Sequence, residues 1–232
     1  FALVDGEPVD LGPARQRCVL AALAVDAGQV VSVDRLIRRV WGGQPPLRAR
    51  ETLVNYVSRL RRVLAASTAS VVRLSGVYVL AFPPSTIDLH RFHDLRARAH
   101  AEHDPKAAEL LGEALGLWRG EALTGLVGDW AEGERDRLHR KHLDAECDLA
   151  DVLLRLGQGD DLVAVLSARV AEHPLDERIA GQYLQALHQA GRTSDALEHY
   201  RELRERLVSE LGADPGAPLR DLHRRILAAD PS

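Results

Sequence analysis

The stretch RETLVNYVSRLRRVL, residues 50–64, decides the fold of the first third of the chain. Leu53, Val57 and Leu60 recur at intervals of three and four residues, which is the spacing of an α-helix with one buried face. The opposite side carries polar residues, namely Asn55, Ser58, Arg59 and Arg62, with Glu51 and Thr52 near the N-terminal end. The pattern predicts a helix from about Ala49 to Leu64 that packs on one side and leaves the other side free.

Two more helices are predicted before this one. The first lies between Pro13, which the first turn of a helix tolerates, and Gly28. Its apolar stretch, residues 19–25, is far shorter than the roughly 18 residues that span a bilayer, so we expect no membrane segment here. The second begins after Ser32, a favourable N-cap residue, and ends at Gly42.

A β-hairpin is predicted after the third helix. The runs Val71–Leu74 and Val77–Phe82 are rich in β-branched and aromatic residues, and Ser75-Gly76 between them favours a turn. Phe1–Leu11 is interpreted as two short extended stretches around a turn at Asp5-Gly6. Three helices followed by a hairpin are the order of a winged helix-turn-helix.

The polar side of the third helix has the chemistry of a surface that binds the DNA major groove. Arginine can bind a guanine edge through two hydrogen bonds and asparagine an adenine edge, while flanking arginines bind phosphates. We expect base contacts from Arg59 and Asn55, and phosphate contacts from Arg61 and Arg48. The full set of candidate DNA-binding residues is Arg48, Arg50, Thr52, Asn55, Ser58, Arg59, Arg61, Arg62 and Arg73. The alternative is a solvated helix face, which is the usual meaning of a run of charges.

Charge divides the chain in the same way as the predicted elements. Residues 1–86 contain eleven arginines and six acidic residues, a formal charge of +5. The remaining residues contain nineteen basic and twenty-eight acidic residues, a formal charge of −9. Only the first part therefore suits a polyanion such as DNA.

The acidic part is predicted to be helical throughout. From Ile87 onward, about seven amphipathic segments are separated by Gly, Pro and Asp. Gly157 and Gly191 lie 34 residues apart at matching points of a repeated pattern, and 34 residues is the period of tetratricopeptide helical hairpins. Pro83-Pro84 separates the two parts, with Ser85 or Thr86 as a possible cap of the next helix. We predict a mainly α protein with a winged helix in residues 1–84 and a tetratricopeptide-like domain in residues 85–232.

The chain resembles a known family over nearly its whole length. The sequence SRLRR at residues 58–62 resembles the same point of OmpR-type recognition helices. Residues 173–227 resemble the bacterial transcriptional activator domain, in particular at AGR (190–192), DAL (195–197), ELG (210–212) and DPG (214–216). Together these two parts are similar to the Streptomyces antibiotic regulatory protein (SARP) family.

This resemblance implies an activator of secondary-metabolite genes, typically those for antibiotics. Members bind direct repeats overlapping the promoter −35 region, as two copies placed head to tail, and recruit RNA polymerase beside its σ factor. The resemblance also implies that the first strand of the family would lie before residue 1, and that larger members continue into NTPase and sensor domains. The expected location is the cytoplasm, at the nucleoid.

The sequence contains little that indicates a catalytic, cofactor-binding or metal-binding site. His139, His142 and Glu146 share one helical face, but the paired-ligand motifs of zinc sites do not occur. The Gly-rich run GLVGDWAEGE, residues 125–134, lacks the lysine of a phosphate-binding loop, and we predict a loop whose Trp130 anchors the following helix. We therefore expect no enzyme, no cofactor and no metal. The remaining alternative is a tetratricopeptide-like scaffold whose winged helix binds protein rather than DNA.

Overall fold

A computed structural model describes residues 2–4, 7–83 and 86–229 of the chain. It divides into two compact units, the first formed by Phe1–Leu95 with Ala114–His142 and the second by Arg96–Glu113 with Leu143–Ser232. The turn predicted at Asp5-Gly6 and the positions Pro84 and Ser85 lie outside the described residues. The domain boundary predicted after residue 84 stays a prediction.

The first unit contains the three helices and the hairpin in the predicted order. Its elements are β1 (Ala2–Val4), β2 (Glu7–Val9), α1 (Ala14–Val25), β3 (Val31–Ser32), α2 (Val33–Trp41), α3 (Ala49–Val63), β4 (Ser70–Leu74) and β5 (Val77–Ala81). β1 and β2 form an antiparallel pair, and a second antiparallel sheet has the order β3-β5-β4. The predicted winged helix-turn-helix is confirmed.

Local sequence signals set several of these boundaries. The hydroxyl of Ser32 accepts a hydrogen bond from the backbone N–H of Arg35 and caps α2 as predicted. In the hairpin turn, Ser75 and Gly76 both have positive φ angles, 34° and 86°, as a type I′ turn requires. α3 ends at Val63, one residue earlier than predicted, because Leu64–Ala66 continues as a 3-10 helix.

The core of the first unit lies between the three helices and the inner face of the sheet. Leu53, Val57 and Leu60 of α3 are buried there, as their spacing predicted, against residues such as Leu23 and Leu36. Burying side chains of this size contributes roughly 1.5–3 kcal/mol each. The packing fixes which side of α3 faces outward.

Part of the predicted loop at residues 125–134 is helical. α6 (Asp129–Arg155) begins within it, directly after Gly128, whose φ of 109° suits glycine. Asp129 and Glu132 place carboxylates in the first turn of α6, where they interact favourably with the helix dipole. Trp130 packs against the core of the first unit, with the guanidinium carbon of Arg39 5.3 Å from its ring centroid.

From Asp88 onward, the described residues form seven α-helices, in agreement with the sequence pattern. They are α4 (Asp88–Ala99), α5 (Asp104–Leu115), α6, α7 (Gly159–Glu172), α8 (Glu177–Gln189), α9 (Thr193–Leu211) and α10 (Ala217–Ala229). Gly157 and Gly191 follow the ends of α6 and α8 with φ angles of 76° and 72°, so the 34-residue repeat corresponds to equivalent helix ends. The second unit is a set of helical hairpins with a tetratricopeptide-like period.

An ion-pair network links three helices of the second unit. The Arg178 guanidinium lies 2.8 Å from Asp148 and 2.6 Å from Asp151, and Arg96 Nε donates to Asp148 over 2.8 Å. Burial alone would raise the pKa of the Asp148 carboxyl, but the hydrogen bonds from Arg178 and Arg96 outweigh it and hold this pKa below its ordinary value. Asp148 is therefore an ionised, paired side chain at neutral pH.

Candidate nucleic-acid interface

The outward side of α3 carries the predicted DNA-binding face, including Arg59 and Asn55, from which base contacts are expected. Asn55, Ser58, Arg59 and Arg62 are all exposed. Within the part of the chain that the structure describes, their side chains make no hydrogen bond or ion pair with other residues. The buried apolar side of α3 holds the helix in place, so the position of this face is fixed. The polar groups on the face are left to form hydrogen bonds with water. Such a surface can exchange its water for the polar edges of a partner.

Other predicted site residues have contacts within the protein. Arg50 Nη2 pairs with Asp34 of α2 over 2.6 Å, and both side chains are well exposed. The Thr52 hydroxyl donates to the carbonyl of Arg48, over 3.0 Å, and Thr52 is only half-exposed. The sequence could not predict the Arg50–Asp34 pair, because it depends on how α2 is placed beside α3, whereas the Thr52 bond is a local one to the residue four positions earlier.

Arg61 connects α3 to the wing. Its Nε donates to the carbonyl of Val71 in β4 over 2.7 Å, while the residue as a whole stays exposed. Its Nη groups remain able to approach a phosphate. Arg61 therefore has a structural role in addition to the phosphate contact predicted for it.

The wing places Arg73 on the strand nearest to α3. Arg73 is exposed and lies opposite Tyr78 in the β4–β5 register, with its guanidinium carbon 5.9 Å from the tyrosine ring centroid. This distance is that of a cation–π contact, which limits the positions that the long side chain can take. Arg73 is thus a partly ordered cation at the wing.

Sequence reasoning missed Val54 as a candidate. This aliphatic residue is 42% exposed on α3, on the flank shared with Ser58 and Arg61. An apolar group on a groove-binding helix can contact a thymine methyl group. The sequence alone could have indicated an exposed apolar residue here, because Val54 lies outside the buried apolar stripe of Leu53, Val57 and Leu60.

The histidine, glutamate and cysteine side chains that could in principle bind a metal or act as nucleophiles have other surroundings. The His142 ring lies 4.6 Å from the Trp118 ring, and Glu146 pairs with Arg169 over 2.5 Å. Among the described residues, no cluster of three or more His, Cys, Asp or Glu side chains could hold a metal ion. Burial raises the pKa of the thiols of Cys18 and Cys147 to about 11, so both are protonated at neutral pH.

No helix in the described ranges has the length and apolarity needed to cross a bilayer.

Comparison with known proteins assigns each of the two parts of the chain to a protein family. Residues 6–78 match the family described as "Transcriptional regulatory protein, C terminal", and residues 87–227 match "Bacterial transcriptional activator domain". These two domains in this order define a class of bacterial transcription regulators. The chain belongs to the Streptomyces antibiotic regulatory protein family, as its motifs indicated.

Individual relatives support this assignment along the whole chain. Regulatory protein DnrI of Streptomyces peucetius is 38% identical, with 94% of this chain and 85% of DnrI aligned. Transcriptional regulator RedD of Streptomyces coelicolor is also 38% identical, with 93% of this chain and 64% of RedD aligned. Regulatory protein AfsR of Streptomyces griseus is 37% identical over 97% of this chain, which spans only 23% of AfsR.

A solved structure has the same fold. Mycobacterium tuberculosis EmbR, in complex with a low affinity phosphopeptide, superposes with a TM-score of 0.90 at 34% identity. The match covers 98% of this chain and 62% of EmbR.

Proposed function

We propose that the chain is a sequence-specific DNA-binding transcription activator whose α3 enters the major groove. The observation that carries the proposal is the exposed face of Asn55, Ser58, Arg59 and Arg62, whose side chains have no partner among the described residues. Arg59 and Asn55 would contact base edges, and Val54 a thymine methyl group. Arg48, Arg50, Thr52, Arg61, Arg62 and Arg73 would add contacts to the DNA backbone, which hold the helix in register.

Footprinting of genomic fragments, followed by gel shifts against competitor DNA, tests this proposal. We expect protection of discrete sites and retention of binding under a large excess of random DNA, since specific sites are usually bound at least ~10³-fold more tightly than random sequence. Equal binding to all sequences would contradict base recognition. An absence of DNA binding would favour the alternative, a scaffold whose winged helix binds protein.

The operator is proposed to be a direct repeat that binds two copies of the chain head to tail. One winged helix contacts few base pairs, so a single copy offers limited specificity against a genome of competing sites. Cooperative placement on one face of DNA requires centres separated by whole helical turns of about 10–10.5 base pairs. Inserting half a turn between the repeats should abolish cooperativity and leave single-site binding intact, and cooperativity that survives the insertion would contradict the arrangement.

The acidic part is proposed to contact RNA polymerase, beside the σ factor at the −35 region. Its formal charge of −9 beyond residue 86 disfavours DNA, and helical hairpins of this kind provide surfaces for protein partners. A contact of about 1.4 kcal/mol is enough to raise low promoter occupancy tenfold. In this proposal the chain catalyses no reaction, needs no cofactor, and acts at the nucleoid on antibiotic genes.

Transcription with purified polymerase tests the activating contact separately from DNA binding. At concentrations that saturate the operator, we expect the chain to increase transcript yield and to crosslink to σ. Saturated DNA without stimulation would leave a DNA-binding protein that is not an activator of this kind.

A further inference from the structure

A cleft of about 610 Å³ lies within the first compact unit, and none of its lining residues belongs to the proposed DNA surface. Among the described residues, most of its lining comes from α1, the end of β5, the start of α4 and the segment of residues 117–126, with smaller contributions from residues 9–11, residues 64–69 and α6. Cavities of 300–1,000 Å³ lined mainly by apolar side chains are typical of sites for small organic molecules.

The wall of the cleft that α1 forms is apolar, and the described residues of this unit bury it only in part. Val19, Ala22 and Leu23 of α1 are buried in the core, while Leu20 and Ala24 on the other side are only half-buried and line the cleft. A helix that is apolar on all sides is normally buried on all sides. The second face of α1 therefore has apolar surface available for a ligand.

The opposite wall is a strained segment held firmly in place. Leu123 has a φ of 56°, which is rare for a bulky residue, and its side chain lines the cleft. The guanidinium of Arg135 holds this segment, since it donates to the carbonyls of Ala122, Leu123 and Leu126 over 3.3, 3.4 and 2.9 Å. Backbone strain that surrounding contacts maintain in this way is concentrated at functional sites, including ligand clamps.

One cation of the lining has no carboxylate partner in the described residues. Among the described residues, the hydrogen bonds of the Arg17 side chain go to the carbonyls of Gly12 and Gly125, each over a long 3.4 Å. The acidic residues of the lining are occupied elsewhere: Glu121 lies 3.4 Å from Arg135, and Asp88 accepts from the backbone N–H of Leu89. A guanidinium beside an apolar cleft fits a ligand with a carboxylate group.

We propose that this cleft binds a small organic acid with an apolar body. The body would lie against Leu20 and Ala24 on one side and Trp118 on the other, with its carboxylate at Arg17. Trp118 is fixed for this role by an edge-on contact with Phe92, their ring centroids 5.5 Å apart. This site is independent of DNA recognition.

Isothermal titration calorimetry of the whole chain with dodecanoate, kept below its micelle concentration, tests the proposal. We expect one site per chain, weaker binding of dodecylamine and dodecanol, and a change in tryptophan fluorescence that disappears in Trp118→Phe while the heat of binding remains. Arg17→Gln should weaken dodecanoate by about tenfold and leave dodecanol unchanged. The matched control Arg225→Gln, which removes an exposed arginine of α10, should bind like the unmodified chain.

Substitutions that fill the cleft with a larger side chain provide a second test of the proposal. Ala24→Phe should weaken dodecanoate at least about tenfold, whereas Ala228→Phe, at an exposed position of α10, should not. If Ala24→Phe does not fold, as its thermal transition will reveal, Leu20→Trp fills the same cleft. Absence of binding, equal binding of the amine, or affinity that persists in a folded cleft-filled variant would overturn the proposal.

Discussion

Replacing Arg61 tests whether its bond to the wing stabilises the first unit. The change Arg61→Met keeps the length of the side chain and removes the Nε donor that lies 2.7 Å from the Val71 carbonyl. A hydrogen bond with a charged donor contributes about 1.5–3 kcal/mol, and the exposure of Arg61 favours the lower end, about 1.5 kcal/mol. For a chain of this size that free energy lowers the melting temperature by roughly 3–6 °C.

Differential scanning calorimetry measures this effect, and the neighbouring arginine supplies the control. Arg62→Met removes the same charge from the same helix, but Arg62 has no partner among the described residues, so its free energy of unfolding should change by no more than about 0.5 kcal/mol. In DNA binding, the slope of the logarithm of the affinity against the logarithm of the salt concentration should become shallower by about one in each variant if both arginines bind phosphates. Equal melting temperatures for the two variants would refute the role assigned to Arg61.

Substitutions at three further positions, Ser32, Gly159 and Arg178, probe other parts of the fold. Ser32→Ala removes the cap of α2 and should cost about 1 kcal/mol in urea unfolding, which Ser32→Asp should largely restore. In Gly159→Ala, the added Cβ would lie 2.7 Å from the Gln189 Cβ and 3.1 Å from the Ala186 Cα, so we expect a loss of about 1–3 kcal/mol in the same assay. The ionised Asp148 carboxylate stabilises the fold through its arginine partners, because its pKa is lower in the folded chain than in the unfolded one. This stability is fully present at pH values above the ordinary pKa of an aspartate, and it is lost as the pH falls through the lowered pKa of the folded state. Arg178→Met should therefore move the midpoint of acid unfolding, followed by circular dichroism, to higher pH.

The features that the sequence predicted best are those set by local periodicity and local hydrogen bonding. The stripe of Leu53, Val57 and Leu60 defined the buried side of α3, and the short hairpin turn at Ser75-Gly76 defined the wing. Both depend on residues within a few positions of each other. The 34-residue period of the second unit was visible for the same reason, since it repeats a local helix end.

Most of the features that the sequence did not predict depend on contacts between distant segments. The bonds of Arg50 to Asp34 and of Arg61 to Val71 require the packing of α3 against α2 and β4. The start of α6 at Asp129 was hidden by a Gly-rich sequence that usually forms a loop. The cleft of the first unit needs residues 117–126 beside α1, which no sequence motif indicated.

The central claim, that α3 recognises sequence, is tested most directly by the ratio of operator to random-DNA affinity in Arg59→Ala. At one fixed salt concentration, operator binding should weaken by about 1–3 kcal/mol, and the ratio should fall because random DNA loses only a backbone contribution. The control Arg225→Ala removes the same charge from α10 and should leave the ratio unchanged. A ratio in Arg59→Ala equal to that of the unmodified chain would contradict base recognition by this helix.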